Sequence, residues 1–261
     1  MRKGPLRTVD LALISCLTLV IGVSLGLSGY GGFLIPAMLI GIMGMGVRDA
    51  VANALWSFVI PGIVGSLLYR RKDSHPGWSL AILLSIGTVP GTLVGQVLSV
   101  SLPERELQLV LGCVVLAAGL SLIRPKRPHG TVHVDADRIL QWQSLVVLGA
   151  GALGGLAAVM TGAGGPLITV PILLIMGYKI SKVVGAALLN SVVGAILGAV
   201  TLNDVADVDF FVIAAITVPQ LIGVPVGVWL QHRMTSSRTV PVIAAIATVT
   251  GAILIWRALT A

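Results

Sequence analysis

The sequence predicts an all-α integral membrane protein of two homologous four-segment repeats. It has about eight hydrophobic helical segments, with a glycine break or re-entrant half-helix in the first segment of each repeat. Three observations predict this. Of 261 residues, 56% are hydrophobic and 10% charged, at a mean hydropathy of +1.01, whereas a soluble chain carries about a quarter charged residues. The chain matches itself at a shift of 133 residues. Each copy interrupts its first apolar run with glycines, "SGYGG" at 28–32 and "TGAGG" at 161–165.

The apolar runs fall at 9–27, 51–69, 78–100, 107–123, 142–160, 183–202, 210–230 and 240–256. Most have the roughly 20 residues that a bilayer crossing needs, and they are apolar all round. The polar stretch 124–138 is too short to fold alone and reads as a basic linker. Repeat 1 is therefore expected over 1–123, a cytoplasmic linker over 124–139 and repeat 2 over 140–261. Cys16 and Cys113 lie in separate apolar segments without metal-ligand spacing, so neither a disulfide nor a metal is expected. The start of the chain, basic and then apolar up to Leu-Ile-Ser-Cys, loosely resembles a lipoprotein cleavage box. Its apolar run belongs to the repeat, which argues for retention.

Without gaps, residues 22–65 match 155–198 at 15 of 44 positions. The pairs include Gly29/Gly162, Gly31/Gly164, Gly32/Gly165, Leu55/Leu188 and Gly65/Gly198. At a shift of 132, Gly91, Gly95 and Gly119 fall on Gly223, Gly227 and Gly251. A duplicated four-segment unit follows.

The piece after each break, 33–45 or 166–177, spans only about 20 Å as a helix against a core of about 30 Å. Two topologies remain. If each first segment crosses once, the chain spans eight times from an inside N-terminus and the repeats are parallel. If each dips in and returns, the repeats are inverted. The first puts Arg2, Lys3, Arg7, Arg70, Arg71, Lys72, Arg124, Lys126, Arg127, Arg138 and Arg257 inside; the second replaces Arg2, Lys3, Arg7 and Arg257 with Lys179, Lys182, Arg233 and Arg238. Each sum is 11 of the 17 basic residues, so the positive-inside rule does not choose.

A helix that stops at membrane depth leaves unpaired backbone groups that lipid cannot satisfy. The new start beyond it, at Phe33 or Pro166, offers N–H groups and a dipole end that favour an anion. Gly29, Gly31, Gly32, Gly162, Gly164 and Gly165 would let backbone approach a ligand, and Ser28 and Thr161 supply hydroxyls at equivalent points. Ser57 and Asn190 share a repeat position and are the next candidates, with Asn53 and Ser191 beside them. The competing reading is that the glycines serve helix packing, as the GxxxG pairs Gly91/Gly95, Gly194/Gly198 and Gly223/Gly227 do. Packing alone does not require three glycines in four residues in both copies. Thr88, Thr92, Gln96, Thr217, Gln220 and Trp56 are further polar groups within the spans, and Pro61, Pro90, Pro219 and Pro225 are expected kinks.

No Asp, Glu, Lys or Arg lies in the middle of an apolar run, so a carboxylate proton relay is not visible. Proton coupling would fall to the substrate's own acid-base equilibrium or to a helix-end group such as Asp49. "GLSG" at 26–29 matches the short pattern of rhomboid-type intramembrane proteases, but the four histidines lie in loops or at a helix end and the second copy has threonine. No enzyme activity and no cofactor are expected. The basic residues lie in loops without interleaved aromatics, which points to membrane orientation and not to nucleic acid.

The segments "SGYGGFLIPAMLIGIMG", "VRDAVANALWSFVIPGIVGSLLYRR", "PGTLVGQVL" with "LPERELQLVLG", and "TGAGGPLITVPILLIMGYKISKVVGAALLNS" resemble the sulfite exporter TauE/SafE family, also called the toluene-sulfonate uptake permease family. The resemblance covers essentially the whole chain. It implies a multi-pass carrier of the bacterial inner membrane for sulfite, sulfonates or similar small sulfur-containing anions, commonly moved outward. The expected partners are that anion and the lipid bilayer, with a homodimer left open. The alternatives are an anion channel and a non-transporting scaffold whose breaks serve packing. One departure is visible: Pro36 stands four residues after Gly32, whereas Pro166 follows Gly165 at once, which predicts unequal half-sites.

Overall fold

The computed structural model describes residues 8–29, 31–72, 78–123, 141–162, 165–178, 180–233 and 239–260. Among these, every regular element is helical. Helix α1 (Thr8–Ser28) is followed by the short α2 (Leu34–Met38), which runs on as a π-helical turn over Leu39–Met43. Then come α3 (Val47–Lys72), α4 (Trp78–Ser101) and α5 (Glu104–Ile123). The second part of the chain forms α6 (Gln141–Thr161), α7 (Pro166–Ile175), α8 (Ile180–Leu202), α9 (Phe210–Arg233) and α10 (Thr239–Thr260).

Among the described residues, five stretches are long and apolar enough to cross a membrane: Val47–Tyr69, Trp78–Ser101, Trp142–Thr161, Lys182–Leu202 and Phe210–Gln231. Shorter apolar stretches occupy Ala12–Ser28, Leu34–Met43 and Gly251–Thr260. Val97, Leu145, Val200, Ile222 and Ile253 are exposed, whereas Asn53, Ser57, Thr88, Thr92, Asn190 and Gln220 are buried. Apolar side chains outward and amides inward are the pattern expected of a chain solvated by lipid. The chain is a multi-pass membrane protein.

The helices pack mainly as α1 with α9, α4 with α6, α3 with α8, and α5 with α10. Their directions follow from which residues meet. In α4 and α6 a Cβ on Gly87 would strike Leu148, one on Gly91 Ala152 and one on Gly95 Leu156. Residue numbers rise together, so these helices are parallel. In α1 and α9, Gly22 meets Gln220 and Gly26 meets Val224 and Val228, again parallel. In α3 and α8 the order reverses: Leu55 lies against Gly198, Gly62 against Val192 and Tyr69 against Gly185. In α5 and α10 it also reverses, with the Arg105 guanidinium donating to the Ala258 carbonyl (2.8 Å) while Gly251 abuts Leu116. Two further pairs, Thr88 with Asn190 and Gln96 with Thr201, set α4 parallel to α8. Asn53 with Asp209 and Gly65 with Val224 set α3 parallel to α9.

The close crossings explain the small residues. Lipid tails are as apolar as leucine, so helix association here rests on dispersion attraction, and backbones must approach closely to gain it. At Gly91 and Gly227 the neighbour is backbone, the Ala152 and Val23 carbonyls respectively. Prolines sit inside α3 (Pro61), α4 (Pro90), α7 (Pro171) and α9 (Pro219, Pro225).

Helix ends are tied by side chains. The Arg48 guanidinium donates to the carbonyls of Ser99 (3.1 Å), Val100 (3.3 Å) and Leu102 (2.6 Å), satisfying the end of α4. A carboxylate oxygen of Glu104 accepts from the Val47 N–H at 2.6 Å, so the start of α3 and the α4–α5 turn hold each other.

These crossings give a graded prediction. Gly91→Leu forces a side chain into the Ala152 backbone and is expected to cost more than about 3 kcal/mol. Gly149→Ala, with nothing within 4 Å of the new methyl, is expected to change stability by no more than about 0.5 kcal/mol. Denaturant titration of the two purified variants in detergent checks the contrast.

Candidate functional site

The site begins with how α1 and α6 end. Ser28 closes α1 with its hydroxyl donating to the Ser24 carbonyl at 3.0 Å, and Thr161 closes α6 with its hydroxyl donating to the Ala157 carbonyl at 2.6 Å. The next residues, Gly29 (φ +74°) and Gly162 (φ +61°), turn into the left-handed region that side-chain-bearing residues avoid. Their N–H groups still bond back, to Leu25 O at 2.8 Å and Ala158 O at 2.7 Å. The same chemistry therefore ends both helices: a hydroxyl turned back on its own helix, then a left-handed glycine.

Beyond the turns the chain restarts as helix. Leu34 and Ile35 donate to the carbonyls of Gly31 and Gly32 at 3.0 and 3.1 Å; Ile168 and Thr169 both donate to the Gly165 carbonyl, at 3.3 and 3.2 Å. The Thr169 hydroxyl donates to that same carbonyl at 2.9 Å. Gly164 lies outside the described residues, as does Tyr30.

The two turns lie against each other's short helices. A Cβ on Gly29 would stand 3.5 Å from Pro166 Cβ and from Val170 Cγ2, both on α7, and 3.6 Å from Val184 Cγ1. A Cβ on Gly162 would stand 2.6 Å from Pro36 Cγ of α2 and 3.2 Å from Val51 Cα. Val51 and Val184 are partners at the shift of 133, so the packing is reciprocal. Substituting Gly162 is blocked twice over, by φ and by the proline; substituting Gly29 is blocked by φ alone.

Asn190 supplies the distinctive polar group. It is fully buried on α8, and its Oδ1 accepts from the Thr88 hydroxyl of α4 at 2.7 Å. The Thr88 oxygen also lies 3.0 Å from the Gly151 carbonyl of α6, so α4, α6 and α8 meet there. That leaves the Asn190 Nδ2 with no hydrogen-bond partner. This nitrogen would be 2.7 Å from a Cβ on Gly165, the residue preceding α7. An unsatisfied buried N–H donor costs about 1–3 kcal/mol. Here it stands at a helix start, where the backbone's partial positive charge already favours an anion.

The other side-chain candidates of repeat 1 and α8 have hydrogen-bond partners. The Ser57 hydroxyl donates to the Ala54 carbonyl at 2.7 Å and the Ser191 hydroxyl to the Ala187 carbonyl at 2.7 Å. Asn53 is occupied at both ends of its amide: Nδ2 donates to the carbonyls of Asp49 (2.8 Å) and Asp207 (2.9 Å), and Oδ1 accepts from the Asp209 N–H at 3.0 Å. Asp49 joins the same latch, accepting from the Asp207 N–H at 2.9 Å. Sequence reasoning misses Thr88 as a site residue, although it orients Asn190. The available signal is its alignment, at the shift of 132, with Gln220. Gln220 is itself fully buried, with Nε2 donating to the Ile216 carbonyl at 3.2 Å and Oε1 unpartnered.

No curated protein matches the chain significantly. A model of the family described as Sulfite exporter TauE/SafE matches residues 11–254, which take in both turns, α7 and Asn190. With that match spanning nearly its whole length, the chain belongs to the sulfite exporter TauE/SafE family, a family of membrane transporters.

Proposed function

We propose that the chain is a secondary carrier for small sulfur-containing anions such as sulfite or organosulfonates, working as an exporter in the bacterial inner membrane. Its anion site is at the start of α7 beside Asn190, in a cradle completed by the turns at Gly29 and Gly162. The observation that carries this reading is the buried, unpartnered Asn190 Nδ2 against Gly165. A small oxyanion supplies the acceptor that this donor lacks, and glycine leaves room for it to approach. The half-sites are unequal: repeat 1 has Ser57 where repeat 2 has Asn190.

The proposed architecture is a pair of inverted repeats, 1–123 and 140–261, joined by a cytoplasmic linker over 124–139. Helix directions support it. The repeat-equivalent helices α3 and α8 run oppositely, as do α5 and α10. Helix α1 runs parallel to α9, and α9 to α3, so α1 and α3 point the same way. The connection through α2 must then bring the chain back to the face from which α1 set out; α7 has the same task between α6 and α8. With that path, 11 of the 17 basic residues fall on the face that holds the linker, which becomes the cytoplasmic face. A short helix, α7, that presents its start to a buried polar group beside the turn at Gly29 suits alternating access.

Proteoliposomes carrying the purified protein should move labelled sulfite faster than empty vesicles. No flux, in folded protein that binds no sulfur oxyanion, sinks the carrier reading. Asn190→Leu is expected to weaken anion binding at least tenfold, about 1.4 kcal/mol. It removes an unsatisfied buried donor and also the Oδ1 that accepts from Thr88, whose hydroxyl keeps the Gly151 carbonyl; the two changes oppose each other, so stability should stay within about 1 kcal/mol of the parent. A residue kept only for packing would lose stability instead. The topology is checked by single cysteines at Glu106 and Asp204 in a Cys16→Ser, Cys113→Ser background. A membrane-impermeant thiol reagent should label both from the same, non-cytoplasmic side; labelling from opposite sides would mean parallel repeats.

A further inference from the structure

The proposed site has an electrostatic peculiarity that bears on which sulfur anion it takes. Helices α4, α6 and α7 contain no charged residue among the described residues. On α8 the only charge is Lys182, in the first turn, eight residues before Asn190. On α3, Arg48 and Asp49 lie in the first turn, where Arg48 is spent on the end of α4, and the basic residues 70–72 lie at the far end. The nearby titratable hydroxyls are Tyr69, which donates to the Gly26 carbonyl at 2.7 Å, and Tyr178, buried just after α7. Both are neutral acids near physiological pH and supply no positive charge.

The neutral donors are few. Pro166 has no N–H, and the N–H groups of Ile168 and Thr169 go to the Gly165 carbonyl. The hydroxyl of Thr169 goes to that carbonyl as well, and that of Thr161 to Ala157. The described side-chain donor that remains at the α7 start is the Asn190 Nδ2; the unpartnered Thr92 hydroxyl lies one turn beyond Thr88 on α4, beside Gly155 of α6. Stripping water from an ion costs free energy that grows as the square of its charge. The attraction of fixed dipoles grows only in proportion to the charge. A site whose described residues supply few dipoles and no cation therefore favours one negative charge and opposes two.

From this donor set, and resting on the anion-site reading above, we infer that the site selects by charge number: it takes singly charged sulfur oxyanions, hydrogen sulfite or an alkyl sulfonate, and rejects doubly charged sulfite and sulfate. Sulfite and hydrogen sulfite interconvert near neutral pH, so the substrate itself carries the proton. Movement of hydrogen sulfite equals movement of sulfite plus a proton, and no carboxylate relay in the chain is needed.

Calorimetric titration of the purified protein in detergent with methanesulfonate, sulfate and sulfite tests this. Methanesulfonate carries one charge throughout the working pH range and sulfate two. Methanesulfonate is expected to bind at least tenfold more tightly than sulfate, with an affinity that is flat in pH. Sulfite should bind more tightly as pH falls, by about tenfold per pH unit on the alkaline side of its second ionisation. Sulfate binding as tightly as methanesulfonate, or sulfite binding that strengthens as pH rises, overturns the charge rule. If Asn190→Leu then abolishes that binding, the site stands and only its charge selectivity falls. If none of the three anions binds, the site reading falls and the charge rule with it.

Discussion

A backbone amide in a hydrocarbon environment has nowhere to go but to another group of the protein, and the arrangement of this chain depends on that constraint. Helices that run the full width satisfy it internally. Helices α1 and α6 stop and are followed at once by short helices, so their ends need partners. The ends are closed by the smallest devices available: hydroxyls of Ser28 and Thr161 folded back on their own helices, left-handed glycines, and a carbonyl at Gly165 that accepts from two N–H groups and a hydroxyl. With so many groups satisfied locally, the one side-chain nitrogen beside the α7 start that is left without a partner gains its meaning.

The position of that nitrogen is set by packing, not by the loop beside it. Asn190 sits on α8, which is held by α3 on one side and α4 on another; α4 in turn lies backbone to backbone on α6. Thr88 joins three of these helices at one point through the Asn190 amide and the Gly151 carbonyl. The amide's orientation is thus tied to helix crossings whose tolerance is a fraction of an ångström. Close glycine packing and the orientation of the Asn190 amide are two aspects of one geometry.

Much of this is legible in the sequence. Hydropathy marks the apolar segments, and α1 and α6 end at Gly29 and Gly162, glycines that take positive φ without strain. The repeat match points to Asn190 through its pairing with Ser57. The path of the chain is not legible, since both topologies place 11 basic residues inside. Direction is carried by which residues meet across long sequence separations, such as Gly91 with Ala152 or Arg105 with Ala258. Nor can the sequence separate Asn190, with an idle donor, from Asn53, whose amide is fully occupied by the 207–209 connection. Both are asparagines within apolar runs, and only the surroundings tell them apart.

The crossed pairing has a mechanical corollary. Helix α1 is clasped to α9 and α6 to α4 along glycine-lined seams, with backbone against backbone at Gly26, Gly91 and Gly227. Such seams have little freedom to slide, because carbonyl groups of one helix seat against the glycine backbone of the other at one-turn intervals. The rigid bodies available for motion therefore each combine helices from both halves of the sequence. Whatever rocks when this protein works, the boundary between moving parts does not coincide with the boundary between the two halves of the chain.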